Sequence, residues 1–308
     1  MNSLNKGVSI IICCYNSEFL IPNTLKHITD LKIPNSLSCE LILVNNNCSD
    51  NTVSVAIKEW DRYNTKIDLK VIDEPVPGLI HARKKGVANC KYEIVVFCDD
   101  DNWLSSDYIM LITDAMDKYP KIGAVGGQGI AISSEEIPNW FYNEQSSYAC
   151  GRQWDKTGFC SERTYLWGAG LTLRKRILEK VFETPFKLAG RSSNILLAGD
   201  DNELCMRILL MNYELYYMDN LTYRHFIHPK RLNKEYLNKM RIGFYNSFDV
   251  LNEYRLEVIK MKNPGVQRFW FYLKDMFFII LIKFKILKPL KRPLLNILKI
   301  KFFKSQLN

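Results

Sequence analysis

Long apolar runs are scarce in this 308-residue chain. The longest uninterrupted one in its apolar C-terminal stretch covers 276–282, well short of the ~20 residues needed to span a bilayer. No transmembrane helix is expected. The opening residues, Met1-Asn2-Ser3-Leu4-Asn5-Lys6, lack a signal-peptide pattern, so a cytoplasmic setting is expected. Paired cysteine spacing is missing too. The nine Cys, at 13, 14, 39, 48, 90, 98, 150, 160 and 205, are odd in number and contain no C-x-x-C. This argues against a disulfide framework or a structural zinc site and suits a reducing compartment. An excess of basic charge is missing from most of the chain. Residues 260–308 hold twelve Lys or Arg and one acid, Asp275, so the net +9 resolves into +11 in this tail and −2 elsewhere. Nucleic-acid binding by the main body is therefore not implied. A dinucleotide fingerprint is also absent, because Gly126-Gly127-Gln128-Gly129 lacks the G-x-G-x-x-G spacing.

What is present is organised around Glu93-Ile94-Val95-Val96-Phe97-Cys98-Asp99-Asp100-Asp101. A short apolar run bounded by polar residues suits a strand buried on both faces of a parallel sheet. Three aspartates at its C-terminal end would lie at the edge where open α/β sheets bind ligands. Along a strand, Asp99 and Asp101 point the same way and Asp100 the other. Hard carboxylate oxygens at this spacing select Mg²⁺, Mn²⁺ or Ca²⁺. A solvated acidic turn with a helix cap is the alternative.

The surrounding pattern alternates strand and helix. Strands are expected over 8–14, 41–44, 69–72 and 94–98, with further ones over 122–127 and 215–218. Helices are expected after Asn16 or Ser17 (Leu20, Leu25 and Ile28 inward) and after Asp50 (Val53, Ala56, Ile57 and Trp60 inward), then over 79–88, 105–118 and 198–211. The predicted class is α/β, a mostly parallel central sheet with helices on both faces. Residues 135–165 are irregular and aromatic, either a packed loop region or a sugar-stacking platform. Small residues at Trp167-Gly168-Ala169-Gly170 allow close backbone approach to a ligand. One first-turn acid in Asp200-Asp201 is explained by the helix dipole; two adjacent ones are explained poorly. His225 and His228, near an arginine after a strand, point to a metal or phosphate role.

Together these stretches resemble the family 2 glycosyltransferases, which have the GT-A fold. Ser9-Ile10-Ile11-Ile12-Cys13-Cys14-Tyr15-Asn16 resembles the family's opening strand. The stretch from Glu40 through Asn45, Asp50 and Thr52 resembles its second-strand element, and Pro77-Gly78-Leu79 through Arg83 and Gly86 its x-G-L-S-x-A-R-N-x-G element. Phe97-Cys98-Asp99-Asp100-Asp101 resembles the D-x-D metal site, Gly199-Asp200-Asp201-Asn202-Glu203-Leu204 the G-E-D-x-E-L element, and His225 with Arg231 the late His/Arg element. Asn45 stands where the family has an Asp contacting uracil, and Asp200 replaces a Glu.

The resemblance implies an inverting, metal-dependent transferase of the surface-polysaccharide type. It would move a sugar from a nucleotide diphosphate, a UDP-sugar by preference, to a hydroxyl of a glycan or lipid-linked acceptor. Asp201 is implied as base with Asp200 positioning it. Asp99, Asp101 and His225 would hold Mn²⁺ or Mg²⁺. Cys14, Tyr15, Asn16, Asn45, Asp50, Arg83, Asp100, Trp167 and Gly168 would contact substrate. The transferase domain is expected over 1–245, with a nucleotide half to about 130 and an acceptor half over 131–245. Residues 246–308 would form a basic amphipathic helical region on an anionic membrane surface, placing the protein peripherally on the inner face of the cell membrane. Two rivals remain. One is a catalytically silent sugar- or nucleotide-binding protein. The other is a nucleotidyltransferase, which would want a Gly-rich basic loop where Cys14-Tyr15-Asn16-Ser17-Glu18 stands.

Overall fold

A computed structural model describes residues 6–188 and 198–262. The chain divides into two compact units, Met1–Asn252 and Glu253–Asn308. The tail from 263 onward, on which the membrane expectation rests, lies outside the described residues. Among those described, no helix is long and apolar enough to cross a membrane.

The first unit is built on one nine-stranded sheet. Strands β1 (Gly7–Cys14), β2 (Ser38–Asn45), β3 (Asp68–Asp73) and β4 (Ile94–Asp99) run parallel in the spatial order β3-β2-β1-β4. Helices α1 (Ile21–Thr29), α2 (Thr52–Trp60) and α3 (Leu79–Asn89) connect them. Both faces of β1 and β2 are covered, which is why these strands are apolar without alternation. Val8, Ile10, Ile12 and Cys14 join one core with Ile21, Leu25 and Ile28 of α1. On the other face α3 comes so close that a Cβ on Gly86 would sit 2.7 Å from Ile11 Cγ2.

After β4 come β5 (Asn102–Leu104), α4 (Tyr108–Lys118) and β6 (Ile122–Ile132). A four-residue helix α5 (Asn139–Tyr142), β7 (Gly158–Phe159), β8 (Thr172–Arg174), α6 (Lys175–Val181), α7 (Asp200–Leu210) and β9 (Glu214–Phe226) follow. Helix α8 (Lys234–Asn246) closes the first unit, and α9 (Phe248–Lys262) begins within it. The sheet continues β4-β8-β6-β9-β5, with β7 on β9. β6 and β9 are parallel, whereas β8 runs antiparallel to both β4 and β6. The α/β class with a mostly parallel sheet therefore holds, with antiparallel β5, β7 and β8 added.

Several local expectations are corrected. β6 and β9 run on to Ile132 and Phe226, well past the predicted 127 and 218, because they pair along their whole length. The Gly126–Gly129 run lies inside β6, and a Cβ on Gly127 would sit 1.8 Å from Leu221 O, at a register shift between the two strands. α4 starts at Tyr108 rather than 105. Leu20 caps α1 instead of lining it, with Ile21 taking the inward place. Ile57 of α2 is exposed, and Thr52, Ala56 and Trp60 form the buried side. The nine cysteines, all among the described residues, form no disulfides.

Candidate active site

The chain order reverses between β1 and β4, so the sheet has a switch point at their carboxyl ends, the standard place for a crevice in an open α/β sheet. A cavity of about 670 Å³ opens there. Cys14, Tyr15, Asn46 and Asn47 line one end, the carboxylates and Arg83 the middle, and Tyr148, Tyr165, Trp167 and α8 the other.

β4 stops at Asp99, so strand alternation does not continue through the aspartates. Asp100 and Asp101 lie in the turn before β5, and all three reach the cavity wall. Ser17 donates its hydroxyl proton to Asp100 Oδ2, and Thr24 Oγ1 donates to the Asp100 carbonyl at 2.5 Å, so α1 anchors the turn. Asp101 is buried between His225 Nε2 at 3.5 Å and Arg231 Nη1 at 3.2 Å, and accepts from Asn102 Nδ2 at 3.0 Å. β9 delivers His225 because its pairing with β5 sets His225 opposite Asn102. His228 takes no part: its Nδ1 accepts from Lys230 N in the following turn.

Asp200 and Asp201 open α7 behind Gly199, whose φ of 113° is a glycine conformation. Arg83, only 2% exposed on α3, reaches both, at 3.2 Å from Asp200 Oδ2 and 2.6 Å from Asp201 Oδ1. Its Nη2 is 3.9 Å from Asp99. The other Asp201 oxygen accepts from Gly168 N at 2.9 Å. Gln153 fixes that loop from behind, accepting from Trp167 N at 2.7 Å and donating to Gly127 O at 2.7 Å. Glu203, fully buried, does different work from its neighbours. It accepts from the backbone N–H groups of Lys187 and Leu188 and pairs with Arg207 at 2.7 Å.

Five carboxylates on the wall of this cavity face two guanidiniums and one imidazole among the described residues. Burial raises the Asp99 carboxyl, with Arg83 pulling it back, and raises Asp100 to about 7 with help from Asp101. Burial alone would lower His225, but the Asp101 carboxylate pushes it up to about 10. No three His, Cys, Asp or Glu side chains among the described residues are gathered as a ready metal cage. The donor set is nonetheless hard oxygen from Asp99 and Asp101 with an imidazole beside it, chemistry that fits Mg²⁺ or Mn²⁺ completed by ligand oxygens.

The remaining sequence-predicted residues fall into two groups. Cys14, Tyr15, Asp100, Arg83, Trp167 and Gly168 line the cavity. Asn16, Asn45 and Asp50 do not; they build the loops behind it. Asn16 Oδ1 accepts from Ser49 N at 2.8 Å, Asp50 from Thr52 N and Glu18 N, and Asn45 binds Asp73 through its amide and Cys48 N through its carbonyl. Asn46 and Asn47 reach the wall instead. Of the aromatics in 135–165, only Tyr148 and Tyr165 line the cavity. Trp140 and Phe141 pack into a small core with Leu237 and Met240. Sequence reading missed Gln153 and the cavity face of α8, whose sole signal is the spacing of Tyr236, Met240 and Phe244.

A family model for glycosyl transferase family 2 matches residues 9–182, more than half of the chain. The chain belongs to this family. Poly-beta-1,6-N-acetyl-D-glucosamine synthase of Staphylococcus epidermidis is 31% identical over 123 residues, 40% of this chain and 28% of that protein. The putative glycosyltransferase EpsH of Bacillus subtilis is 29% identical over 102 residues, 33% of this chain and 28% of that protein. The matched stretch thus spans little more than a quarter of these relatives. Among solved structures, S. aureus TarS 1-349 in complex with UDP-GlcNAc superposes with a TM-score of 0.54 at 15% identity, covering 83% of this chain and 71% of that one. The mannosyltransferase PcManGT from Pyrobaculum calidifontis, in complex with GDP-Man and Mn²⁺, gives 0.50 at 18% identity, covering 84% and 65%. At these identities the likeness establishes the GT-A fold of this family member.

Proposed function

We propose that this protein is an inverting, metal-dependent glycosyltransferase. It transfers a sugar from a nucleotide diphosphate donor, a UDP-sugar, to a hydroxyl of a glycan or lipid-linked acceptor in surface polysaccharide synthesis at the inner face of the membrane. The observation that carries this reading is the placement of two carboxylate sets, Asp99 with Asp101 and Asp200 with Asp201, on one cavity at the sheet's switch point. The donor's nucleotide occupies the end lined by Tyr15, Asn46 and Asn47, with its diphosphate toward Asp99 and Asp101. Asp99, Asp101 and a neutral His225 would hold a divalent cation, which would supply Lewis-acid neutralisation of the leaving diphosphate. Among the described residues both guanidiniums on the wall, Arg83 and Arg231, are paired with aspartates, which favours a cation as the diphosphate's counter-charge.

Asp201 takes the proton of the acceptor hydroxyl as its oxygen forms the bond to the anomeric carbon. The bond from that carbon to the diphosphate breaks on the opposite face, and the diphosphate departs with the electron pair. Arg83 and Gly168 N hold the Asp201 carboxylate in place, and Asp200 holds Arg83. General-base assistance of this kind contributes typically ~10²–10⁴-fold. The bound UDP-GlcNAc of TarS and GDP-Man of PcManGT support a nucleotide-sugar donor.

The test is calorimetric titration of UDP and GDP with and without Mn²⁺, on wild type and Asp101→Ala. It is followed by UDP-GlcNAc turnover in Asp201→Asn. Mn²⁺-dependent nucleotide binding lost in Asp101→Ala, with turnover but not binding lost in Asp201→Asn, is the expected result. Absence of binding by every nucleotide in folded protein with metal would sink it.

A further inference from the structure

His225 has two ring nitrogens, and the cavity accounts for one of them. Nε2 faces Asp101 Oδ1 at 3.5 Å on the wall. Nδ1 points the other way and meets Cys150 Sγ at 3.9 Å, within reach of a sulfur hydrogen bond. Cys150 is fully buried, in a small core with Phe141, Tyr148, Ile227, Leu237 and Met240. The ordinary use of such a thiol is to pack as a small hydrophobe. This one also lies 3.3 Å from Tyr148 O, so its sulfur stands between a carbonyl oxygen and an imidazole nitrogen.

The turn that carries Cys150 is tied down on both sides of the thiol. Tyr223 and His225 project from the same face of β9, two residues apart. The Tyr223 hydroxyl donates to Ala149 O at 2.7 Å, and Ala149 takes the left-handed conformation with φ of 54°. Cys150 N donates to Gln145 O at 3.0 Å, and Gly151 N donates to Gly129 O of β6 at 2.7 Å. The two strands that frame the site thus also fix where the sulfur sits.

Proton bookkeeping then decides the roles. A thiol has one proton to give. Tyr148 O can only accept and is the nearer of the two neighbours, so the S–H goes to it. The sulfur lone pairs are left for the imidazole, and Nδ1 is the nitrogen that donates. An uncharged ring with its proton on Nδ1 carries its lone pair on Nε2. That lone pair faces the Asp101 side of the cavity, where a cation held by carboxylates would need it. With the S–H turned to Nδ1 instead, the proton would sit on Nε2 and close that position. A thiol acceptor also fixes the ring without adding a further charge to the carboxylates on the wall.

We propose that Cys150 is a positioning residue for His225: its sulfur accepts from Nδ1–H and holds the ring in the tautomer that presents the Nε2 lone pair to the cavity. The consequence for metal affinity rests on the metal-dependent transferase reading, but the tautomer itself is measurable on a chain without metal.

The experiment has two readouts on the full chain. The first is the His225 tautomer, from two-bond proton–nitrogen NMR of the imidazole in Asp101→Ala without metal at mildly alkaline pH. There Nε2 has lost its carboxylate partner and the ring carries a single proton. The second is Mn²⁺ affinity, from electron paramagnetic resonance on the otherwise wild-type chain. Cys150→Ala and Cys150→Val remove the acceptor, the valine filling the site in case truncation unfolds the chain. Cys150→Ser keeps a hydroxyl there. The expected result is the Nδ1–H tautomer in Asp101→Ala, shifting towards Nε2–H when either apolar substitution is added. Mn²⁺ affinity should fall about tenfold or more in Cys150→Ala and Cys150→Val and stay within about threefold of wild type in Cys150→Ser. The Nε2–H tautomer with Cys150 intact would overturn the proposal. So would either readout unmoved by the apolar variants in a chain that binds Mn²⁺, even if they lower the melting midpoint, because Cys150 would then act through packing alone. Failure of wild type to bind Mn²⁺, with the tautomer still following Cys150, would uphold the positioning of the ring and remove the metal from the transferase reading.

Discussion

Arg83 Nη1 lies 2.6 Å from Asp201 Oδ1, and the same buried guanidinium reaches Asp200 and Asp99. One cation from α3 thus serves carboxylates from both the end of β4 and the start of α7. Removing it leaves three acids facing one another in a cleft.

Arg83→Met should therefore destabilise the fold as well as silence it. Breaking a buried ion pair from one side costs about 3–5 kcal/mol, roughly a 10 °C fall in melting midpoint for a domain of this size. Arg83→Lys keeps the charge but not the fork and should recover stability better than turnover. Differential scanning calorimetry with a donor-consumption assay checks both. A midpoint unchanged in Arg83→Met would show that the carboxylates are balanced by something else.

Gly168 is as tightly placed. A Cβ there would sit 2.3 Å from Asp201 Oδ1 and 2.6 Å from Arg83 Nη2. Gly168→Ala must push the Asp201 carboxylate off its backbone donor. The expectation is a fall in kcat of about 10²-fold or more with donor KM held within threefold. Steady-state kinetics decide it, and a kcat within threefold of wild type would remove Gly168 N from the positioning of the base.

The Asp101–His225 pair gives a pH dependence. Its imidazole titrates at about 10 in the folded, metal-free chain, against about 6.5 unfolded. A raised histidine value stabilises the fold fully below ~6.5 and loses that contribution as pH climbs through about 10. Metal-free wild type should therefore lose thermal stability from near neutral pH towards 10, and Asp101→Asn should flatten that slope. Imidazole NMR gives the direct reading. A His225 titration near 6–7 in the metal-free protein would contradict the pairing, while Mg²⁺ added to wild type should lower it and release a proton.

Gly127 tests the fold itself. With Leu221 O only 1.8 Å from a virtual Cβ, Gly127→Ala has backbone, not a flexible side chain, in its way. It should cost several kcal/mol, more than the ~1–3 kcal/mol of ordinary overpacking, because the β6–β9 register must move. Chemical denaturation measures it.

How much of this was legible beforehand depends on the range of the interaction. The β-α alternation, the Asp cluster and the paired acids of α7 are local patterns, and each begins within a few residues of its expected place, although β6 and β9 run on past their expected ends. β5 and β8, three residues each, carry no periodic signal and exist because partners pair with them. Asn45 and Asp50 read as ligand contacts through the family resemblance; their hydrogen bonds to Cys48 N and Thr52 N, visible only once the loop is folded, use them for its shape. Glu203 entered only as part of the stretch resembling G-E-D-x-E-L, and its burial against the 187–188 backbone depends on a segment sixteen residues away in sequence.

β8 has a mechanical consequence. Three residues long, it is the strand through which the parallel group ending in β4 and the group beginning at β6 are joined. Three residue pairs join it to β4 and two to β6. The segment running into it carries Trp167 and Gly168, whose N–H grips Asp201. The carboxylate proposed to accept the proton is therefore held by the segment that leads into the strand joining the two parts of the sheet, so a substitution that shifts β8 would shift that carboxylate's backbone donor with it.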